Sequence, residues 1–445
     1  MPENNFDIII SGGTLLTMSA GMDIIEDCFV GIHDGIITDI RSLKKTRSTS
    51  IRAHETINAD GCIVMPGLVN THTHLPMVCF RGLADDLPLM EWLTGHIWPA
   101  EQRFVSKKMV YDGATLAMAE MILSGTTTFC DGYFFEDSLA EAVHVAGMRA
   151  VVAQGFADFV MPDSAAVKKM MAAANRFVKK WYPHAPLLTP AFFCHSPYTC
   201  SPATLSAVKQ SAREHGILYL VHLLENKDEV PTIRQRYGRT PVQHLLNLGV
   251  LDEQTVAVHC NWLTSEDMKI FADLGVKVSH NPESSMKLAS GVAPVPDMLK
   301  EGISVGIGTD GCASNNDLDM FREMDTTAKI HKVISLDPTV MNAESVCRMA
   351  TIGGAHVLGL DKRIGSIETG KQADIILVDM NQPHLTPVYH YYSQLVYAAR
   401  GADVKTSIVN GKVIMKDRRL LTIDLPTAMK NVRTVAGGII RKDSH

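Results

Sequence analysis

The fold is decided by residues 66–74, which read PGLVNTHTH, together with the apolar run IVM at residues 63–65 just before them. A short apolar run of this kind predicts a buried strand. Residues two apart in a strand point to the same face, so His72 and His74 would project side by side and could bind one metal ion. Taken alone, the pair is equally well explained as two polar residues at the end of a strand.

Length, charge and cysteine content narrow the class of protein. A chain of 445 residues is long enough for one barrel-sized domain and a smaller one. A net charge of −6 and a pI near 6.3 argue against a surface for nucleic acid or for an anionic membrane. No apolar run approaches the roughly 18 residues that a membrane span requires. Nine cysteines without CxxC spacing favour reduced thiols and a cytoplasmic location, and we expect no secretory signal because the N-terminus lacks a basic segment.

The pattern of apolar runs divides the chain into three regions. Residues 1–62 contain short β-type runs and a hairpin signal at Asp34-Gly35, and residues 364–445 contain a second such signal at Asn410-Gly411. Between them, in residues 63–363, short apolar runs alternate with longer helical segments. We therefore predict an α/β fold: a (β/α)8 TIM-type barrel at 63–363 with a small β-sandwich domain built from both chain ends.

Eight short runs are predicted to form the barrel strands, at residues 63–69, 126–130, 150–153, 188–194, 218–223, 256–259, 276–280 and 305–307. Helical segments are predicted between them, for example at residues 109–123, 165–181 and 201–215. In such a barrel the functional residues lie at the C-terminal ends of the strands. These ends carry a recurring set of polar residues, namely His72, His74, His222, Glu225, His259 and Asp310.

Three histidines and one aspartate can ligate one divalent ion and leave a place for water. Zn2+ suits nitrogen and oxygen ligands of this kind, and it lowers the pKa of bound water to about 7, where water becomes a nucleophile. Each residue alone has a simpler explanation. His222 could be a core histidine, His259 could bond a backbone group, Asp310 could be a turn residue and Glu225 could begin a solvated helix. Their joint placement at strand ends favours a single metal site, best matched by Zn2+.

One further motif favours a different class of protein. Residues 306–311 match GxGxxG after a strand, and Glu323 or Asp325 lies where a dinucleotide-binding unit has its acidic residue. Such a fold needs the motif within its own βαβαβ half, and it leaves the histidines unexplained. A nucleotide-binding oxidoreductase therefore stays a separate hypothesis, which tight NAD binding without any effect of chelators would favour.

Over nearly its full length the chain resembles the amidohydrolase superfamily, and within it the S-adenosylhomocysteine / 5′-methylthioadenosine deaminase group. Beyond residues 66–74, the resembling stretches are FRGLADDL at 80–87, WPAE at 98–101, HSPYT at 195–199, NPESSMKLASG at 281–291 and GTDGCASNND at 308–317. The resemblance implies one metal ion held by His72, His74, His222 and Asp310. Relatives with two metal ions carry a bridging modified lysine on the fourth strand, and the matching run 188–194 contains no lysine.

The same resemblance implies roles for the remaining site residues. Glu225 would shuttle protons, Asp310 would take a proton from the attacking water and His259 would contact that water, while Glu225 and Asp310 also face the substrate. Glu101 and His195 would hold the ribose hydroxyls, with Trp92 and Phe80 as candidate apolar walls. The implied reaction is hydrolytic deamination at C6 of an adenine nucleoside, 5′-methylthioadenosine and/or S-adenosylhomocysteine, releasing ammonia and an inosine-type product.

Two positions depart from the family pattern. The family often has His-x-Ser-Glu around the third ligand, whereas residues 222–225 read HLLE with the same spacing. Many members have an arginine where this chain has Gln154, and they use it on the substrate. This change argues against a bound amino-acid carboxylate, as in S-adenosylhomocysteine, and favours a neutral 5′ substituent such as methylthio or hydroxyl.

Two other functions remain open at this point. The same machinery could act on another aminated or halogenated heterocycle, such as a triazine, a pterin or guanine, and substrate profiling would separate these. A non-catalytic binding protein would lose stability but no activity on His72→Ala. The expected partner is a small nucleoside, with no nucleic acid and no membrane, and self-association is expected by analogy with the superfamily.

Overall fold

The structure is a computed structural model that describes residues 5–45, 52–158, 162 and 167–443. Within these residues the chain forms seventeen strands: β1 (Asn5–Leu16), β2 (Ile24–His33), β3 (Ile36–Ser42), β4 (Arg52–Asn58), β5 (Cys62–Pro66), β6 (Leu68–Thr73), β7 (Thr126–Tyr133), β8 (Arg149–Phe156), β9 (Leu188–Cys194), β10 (Leu218–Leu223), β11 (Thr255–His259), β12 (Lys277–His280), β13 (Val305–Ile307), β14 (Ile375–Asp379), β15 (Val404–Val409), β16 (Lys412–Lys416) and β17 (Arg419–Leu420).

Over the same ranges the α-helices are α1 (Leu89–Glu91), α2 (Trp98–Phe104), α3 (Lys107–Leu123), α4 (Glu136–Ala146), α5 (Val167–Trp181), α6 (Pro202–His215), α7 (Glu229–Tyr237), α8 (Pro241–Asn247), α9 (Ser265–Leu274), α10 (Pro282–Lys287), α11 (Val295–Lys300), α12 (Met320–Ser335), α13 (Ala343–Arg348), α14 (Gly354–Val357), α15 (Tyr391–Tyr397) and α16 (Leu425–Asp443). A π-helical turn, Trp92–Ile97, joins α1 to α2, and another, Met349–Gly353, joins α13 to α14. None of the helices in the described part of the chain is both long and apolar enough to cross a bilayer.

Strands β6 to β13 form one parallel sheet in the order of the sequence, with helices between successive strands. The last strand returns to the first, since Thr73 and Asp310 form a bridge and the Asp310 N–H donates to the His72 carbonyl at 3.0 Å. Asn70 adds a side-chain link: its amide donates to Thr309 Oγ1 at 2.8 Å, and its Oδ1 accepts from the Thr309 N–H at 3.1 Å. The sheet is a nearly closed (β/α)8 barrel, which confirms the predicted fold class.

The prediction of the barrel strands is wrong at one place. The apolar run 63–69 was expected to be a single strand, but it is two. Strand β5 pairs antiparallel with β14 in a different sheet, and the first barrel strand begins only at Leu68. Gly67 separates them, and a Cβ at this position would lie 2.1 Å from Thr127 Oγ1, so only glycine allows this crossing from one sheet to the other. For the helix predicted at 165–181, residues 165 and 166 lie outside the described ranges, and α5 begins at Val167.

The two chain ends build a second, mixed sheet of nine strands. Its order is β17-β16-β15-β14-β5-β1-β2-β3, with β4 beside β1. Both predicted hairpins are present, and their turns lie close together because the Ala373 N–H donates to the Gly35 carbonyl and the Gly411 N–H donates to the Ala373 carbonyl. Apolar side chains from both ends, such as Ile10 and Ile408, share one buried cluster. The exact division of the chain at 62/63 and 363/364 stays a prediction.

One buried ion pair joins the two sheets. Arg149, at the start of β8 in the barrel, donates two hydrogen bonds to Asp374, just before β14: Nε to Oδ2 at 2.7 Å and Nη2 to Oδ1 at 3.0 Å. Asp374 Oδ1 also accepts from the Asn410 N–H at 2.7 Å. Both charged side chains are buried, so the pair fixes the barrel to the hairpin end of the mixed sheet.

Candidate metal centre

The predicted ligands meet at the C-terminal end of the barrel. His72 and His74 come from β6 and the residue after it, His222 from β10 and Asp310 from the loop after β13. His72 Nε2 lies 3.2 Å from His222 Nε2 and 3.5 Å from Asp310 Oδ1, and His74 Nε2 lies 3.3 Å from the same oxygen. All four side chains are buried. Residues that are 238 positions apart in the sequence, His72 and Asp310, are neighbours because the barrel closes between their strands.

The ring of His74 is oriented by the next strand. Its Nδ1 lies 2.6 Å from the Gly132 carbonyl at the end of β7, and because a carbonyl only accepts, Nδ1 carries the proton. The lone pair of Nε2 then points toward Asp310 and the other rings. Hydrogen bonds of this kind fix the tautomer of histidines that ligate metals.

His259, at the end of β11, belongs to the same cluster. Its ring nitrogens and those of His72 and His222 include three ligand atoms within 4.8 Å of one another, as do ligand atoms of His72, His74 and Asp310. The Asn281 side chain is satisfied when its oxygen accepts from His259 Nδ1 at 3.2 Å and its nitrogen donates to the Gly308 carbonyl at 3.2 Å. This tautomer presents the unprotonated Nε2 of His259 to the cluster.

The charge state of this cluster fits a divalent cation. Burial lowers the pKa of His72 to about 4 and that of His259 to about 3, and it lowers the pKa of His222 well below its usual value. Although burial opposes ionisation of Asp310, the hydrogen bond with His72 and the other histidines hold the pKa of this carboxyl well below its usual range. Neutral imidazoles around one carboxylate are a nitrogen and oxygen donor set of the kind that Zn2+ prefers.

Asp310 is held in place by groups that contact both carboxylate oxygens. Oδ2 accepts from Ser284 Oγ at 2.7 Å and Ser314 Oγ at 3.1 Å, and Oδ1 accepts from the Gly311 N–H at 2.8 Å. The residue also has a left-handed backbone, with φ of 62°, and His259 has φ of 72°. Non-glycine residues in this region are uncommon, and they cluster at functional sites where the surroundings hold them.

Glu225 lies beside the cluster as a buried acid. Its Oε1 is 4.0 Å from His259 Nε2. Burial is the main cause that raises its pKa to about 8, and the charges of Asp310 and Glu229 add to the shift. The side chain is therefore protonated at neutral pH and can donate a proton to a bound molecule.

A cavity opens from the cluster. Glu101 and His195 lie in its wall: Glu101 accepts from the Tyr133 hydroxyl at 2.7 Å, and His195 Nδ1 lies 2.9 Å from Thr199 Oγ1. Burial raises the pKa of Glu101 to about 8, against the opposing effect of the Tyr133 hydrogen bond. The apolar part of the wall includes Trp92, Leu93, Ile97, Trp98, Phe134, Phe156 and Leu288. Of the two walls that the sequence suggested, Trp92 lines the cavity, whereas Phe80 lies in the core at 1% exposure.

Several residues that contact the predicted site residues are not predicted from the sequence. Tyr133, Asn281, Ser284 and Ser314 contact Glu101, His259 and Asp310, as described above. Three of them lie inside the stretches 281–291 and 308–317, whose polar residues were the available signal. Gln154 lines a second cavity with α4 and α5, while its neighbours Gly155 and Phe156 line the first, and its effect on specificity stays a prediction.

A nearly closed barrel with a buried cluster of histidines and one aspartate at its C-terminal end, beside a protonated glutamate, is the architecture of a metal-dependent hydrolase. The chain belongs to the amidohydrolase family, whose model matches residues 63–414.

Named relatives are similar over the full length of the chain. A 5-methylthioadenosine/S-adenosylhomocysteine deaminase from Syntrophobacter fumaroxidans is 47% identical, with 98% of this chain and 99% of the relative covered. A 5′-deoxyadenosine deaminase from Methanosarcina mazei is 43% identical, with 98% and 99% covered. Among solved structures, an adenosine deaminase from Xanthomonas campestris with bound zinc superimposes with a TM-score of 0.96 at 37% identity, covering 99% of this chain and 100% of that one. An atrazine chlorohydrolase from Arthrobacter aurescens, at 23% identity and a TM-score of 0.89, shares the fold.

Proposed function

We propose that this chain is a metal-dependent hydrolytic deaminase of adenine nucleosides, acting on 5′-methylthioadenosine and related 5′-substituted substrates. The observation that carries the proposal is the protonated Glu225 beside the buried cluster of His72, His74, His222 and Asp310, in a cavity whose wall also holds Glu101 and His195. The named activities of the full-length relatives support the substrate class.

His72, His74, His222 and Asp310 would hold one divalent ion, Zn2+ by the chemistry of the donors. When bound, such an ion activates water for attack at neutral pH. His259 would face this water with Nε2, and its Nδ1 donates to the Asn281 side chain. Asp310, whose Oδ2 is shared with two serines, is the group that takes the proton from the water.

Glu225 supplies the acid step. Its proton goes to a ring nitrogen of adenine next to C6, which makes C6 more electrophilic. The oxygen of the water then bonds to C6. The proton that Asp310 took from the water is then delivered to the exocyclic amine, and the hydroxyl proton of the tetrahedral intermediate passes to the Glu225 carboxylate. The C6–N bond breaks, ammonia leaves and the inosine-type carbonyl remains. Glu101 accepts from the ribose hydroxyls and His195 supports the same end of the substrate.

The wall of the cavity favours a neutral 5′ substituent. Among the described side chains that line it, the polar groups are acids, histidines, one tyrosine and one serine, and none is a lysine or an arginine. A carboxylate at the end of a 5′ extension would lose water there without gaining a cation. Methylthio and hydrogen at C5′ suit this wall better than the amino-acid arm of S-adenosylhomocysteine.

Metal-replete protein incubated with a panel of substrates tests the function. The panel contains 5′-methylthioadenosine, 5′-deoxyadenosine, S-adenosylhomocysteine, guanine and a chlorinated triazine, with ammonia release and the absorbance change from adenine to hypoxanthine as readouts. We expect the highest kcat/KM for the neutral nucleosides and none for the triazine. Absence of turnover for every adenine nucleoside would contradict the proposal.

A further inference from the structure

Glu323 is a buried acid that the proposed reaction does not use. It lies on α12 at 0% exposure, thirteen residues after Asp310. No lysine or arginine forms an ion pair with it within the ranges that the structure describes. A buried carboxyl without a cation is costly unless its oxygens accept good hydrogen bonds. The partners of the hydrogen bonds that Glu323 accepts therefore indicate its role.

The two oxygens of Glu323 contact two different segments at the C-terminal end of the barrel. Oε1 accepts from Asn315 Nδ2 at 2.5 Å, in the loop that follows β13. Oε2 accepts from the Glu283 N–H at 3.3 Å, in the first turn of α10. One side chain thus connects the loop after β13 with the segment after β12.

Both of these segments hold Asp310. Asn315 Nδ2 also donates to the Thr309 carbonyl at 2.7 Å, directly before the left-handed backbone of Asp310. Ser284, next to Glu283, donates to Asp310 Oδ2 at 2.7 Å. Glu323 therefore binds Asn315, which holds the residue before Asp310. It also binds Glu283, whose neighbour Ser284 holds the Asp310 carboxylate.

We propose that Glu323 is a positioning residue that sets the orientation of the Asp310 carboxylate toward the metal, acting through Asn315 and Glu283. This inference rests on the proposed metal site, because it assigns Asp310 as a ligand. The Glu323 carboxylate on α12 would then be a hydrogen-bond acceptor outside the set of ligands that keeps one ligand in position. Groups that orient metal ligands in this way typically affect metal affinity or activity by about 10- to 100-fold when they are replaced.

Glu323→Gln tests the proposal with little change of size. The new amide group places a donor opposite the Asn315 side chain or the Glu283 N–H, so one of the two contacts is lost. We expect the dissociation constant for Zn2+, measured by competition with a chromophoric chelator, to rise about 10- to 100-fold. At saturating Zn2+ we expect kcat to fall and KM to stay near the wild-type value, because Glu101 and His195 lie on other elements. Asn315→Ala breaks the same connection from the loop side, and it carries the test if the first variant fails to fold.

Thr326→Val is the matched control. Thr326 lies one turn further along α12 and donates to the Glu283 carboxylate at 2.9 Å, so the change disturbs the same helix without removing a group that donates to Glu323. We expect its Zn2+ affinity and kcat to stay within about twofold of wild type. Wild-type affinity and kcat in folded Glu323→Gln, or an equal loss in Thr326→Val, would overturn the proposal. A wild-type protein that binds Zn2+ but deaminates no nucleoside would sink the proposed function, and the affinity comparison would still decide the role of Glu323.

Discussion

Burial is the main cause that gives His259 and Glu225 the protonation states that the proposed reaction needs. The pKa of His259 is lowered to about 3 and that of Glu225 is raised to about 8 by the same loss of water, because desolvation disfavours the charged form of each. At pH 7 the Glu225 carboxyl carries its proton and the imidazole of His259 is neutral. A protonated carboxyl and a neutral imidazole thus lie side by side, so the environment assigns the two groups different roles, one as an acid and one as a lone-pair donor.

Glu225→Gln tests the role of this acid. The amide keeps the shape of the side chain but has no acidic proton to give, so we expect kcat on 5′-methylthioadenosine to fall about 10²- to 10⁴-fold. Glu225 is not a proposed ligand, so the metal content of the purified variant should equal that of wild type. Ammonia release and elemental analysis measure the two quantities. Activity above a tenth of wild type would contradict the assigned role.

Glu229, four residues after Glu225 and the first residue of α7, gives a prediction for stability. It is 2% exposed, and burial raises its pKa from 4.5 to about 8. The folded state therefore holds this proton more tightly than the unfolded state, and the stabilisation is complete below about pH 4.5 and is lost as the pH rises to about 8. Glu229→Gln lacks this loss. In metal-free protein we expect the difference in unfolding free energy, variant minus wild type, to increase by about 1–4 kcal/mol from pH 5 to pH 8.

Urea unfolding at the two pH values measures this difference. Glu214→Gln is the control, because Glu214 is exposed and its replacement should change stability equally at both values. A difference between Glu229→Gln and wild type that does not vary with pH would show that Glu229 keeps an ordinary pKa in the folded protein.

The sequence predicts which site residues approach one another, but it does not predict all of the residues that hydrogen-bond to them. His72, His74, His222 and Asp310 were predictable because strand ends of a parallel barrel meet at one rim. Tyr133 and Asn281 act across strands, and their contacts depend on the radius of the barrel and the conformation of its loops. A serine such as Ser284 looks like any helix-start residue until the position of Asp310 is known.

At the scale of elements, most of the barrel was predictable from its apolar runs. Strands β9, β10 and β13 have the predicted bounds, because the turn residues on either side limit each run. The run 63–69 was not resolved into β5 and β6, since both strands are fully buried and the hydrophobic pattern does not change between them. The break at Gly67 depends on the approach of Thr127, which is a tertiary contact.

Gly67→Ala tests this crossing point. The added methyl group would overlap the Thr127 side chain, whose three nearest atoms lie 2.1, 2.2 and 2.6 Å from the ideal Cβ position. We expect a loss of stability of about 1–3 kcal/mol or more, because overpacking strains the backbone of both sheets. Unfolding in urea gives the value.

Thr127→Ala should partly rescue Gly67→Ala. It removes two of the three overlapping atoms, and Thr127 Oγ1 has no hydrogen-bond partner among the described residues, so the single change is cheap. We expect the double variant to be more stable than Gly67→Ala alone. Additive losses in the two variants would show that the overlap is not the cause.

At the scale of the whole molecule, the barrel and the mixed sheet depend on each other through Arg149 and Asp374. Arg149→Met would leave the Asp374 carboxylate buried without its cation, and we expect a loss of about 3–5 kcal/mol. Arg149→Met combined with Asp374→Asn removes the charge but keeps an acceptor for the Asn410 N–H, so the double variant should lose less than the single one. Thermal unfolding of the two variants measures the order. The opposite order would show that the ion pair adds no coupling between the sheets.

The bridge between Thr73 and Asp310 has a mechanical consequence. It lies where the circumference of the barrel is joined by the fewest backbone contacts in the described sheet, and His72 and Asp310 flank this seam on its two sides. A cation bound to both would crosslink the seam, so the barrel itself would tighten when it is loaded. Chelation should therefore accelerate hydrogen exchange at the Asp310 amide sooner than at the amides of β9 and β10 across the barrel, which are paired on both sides.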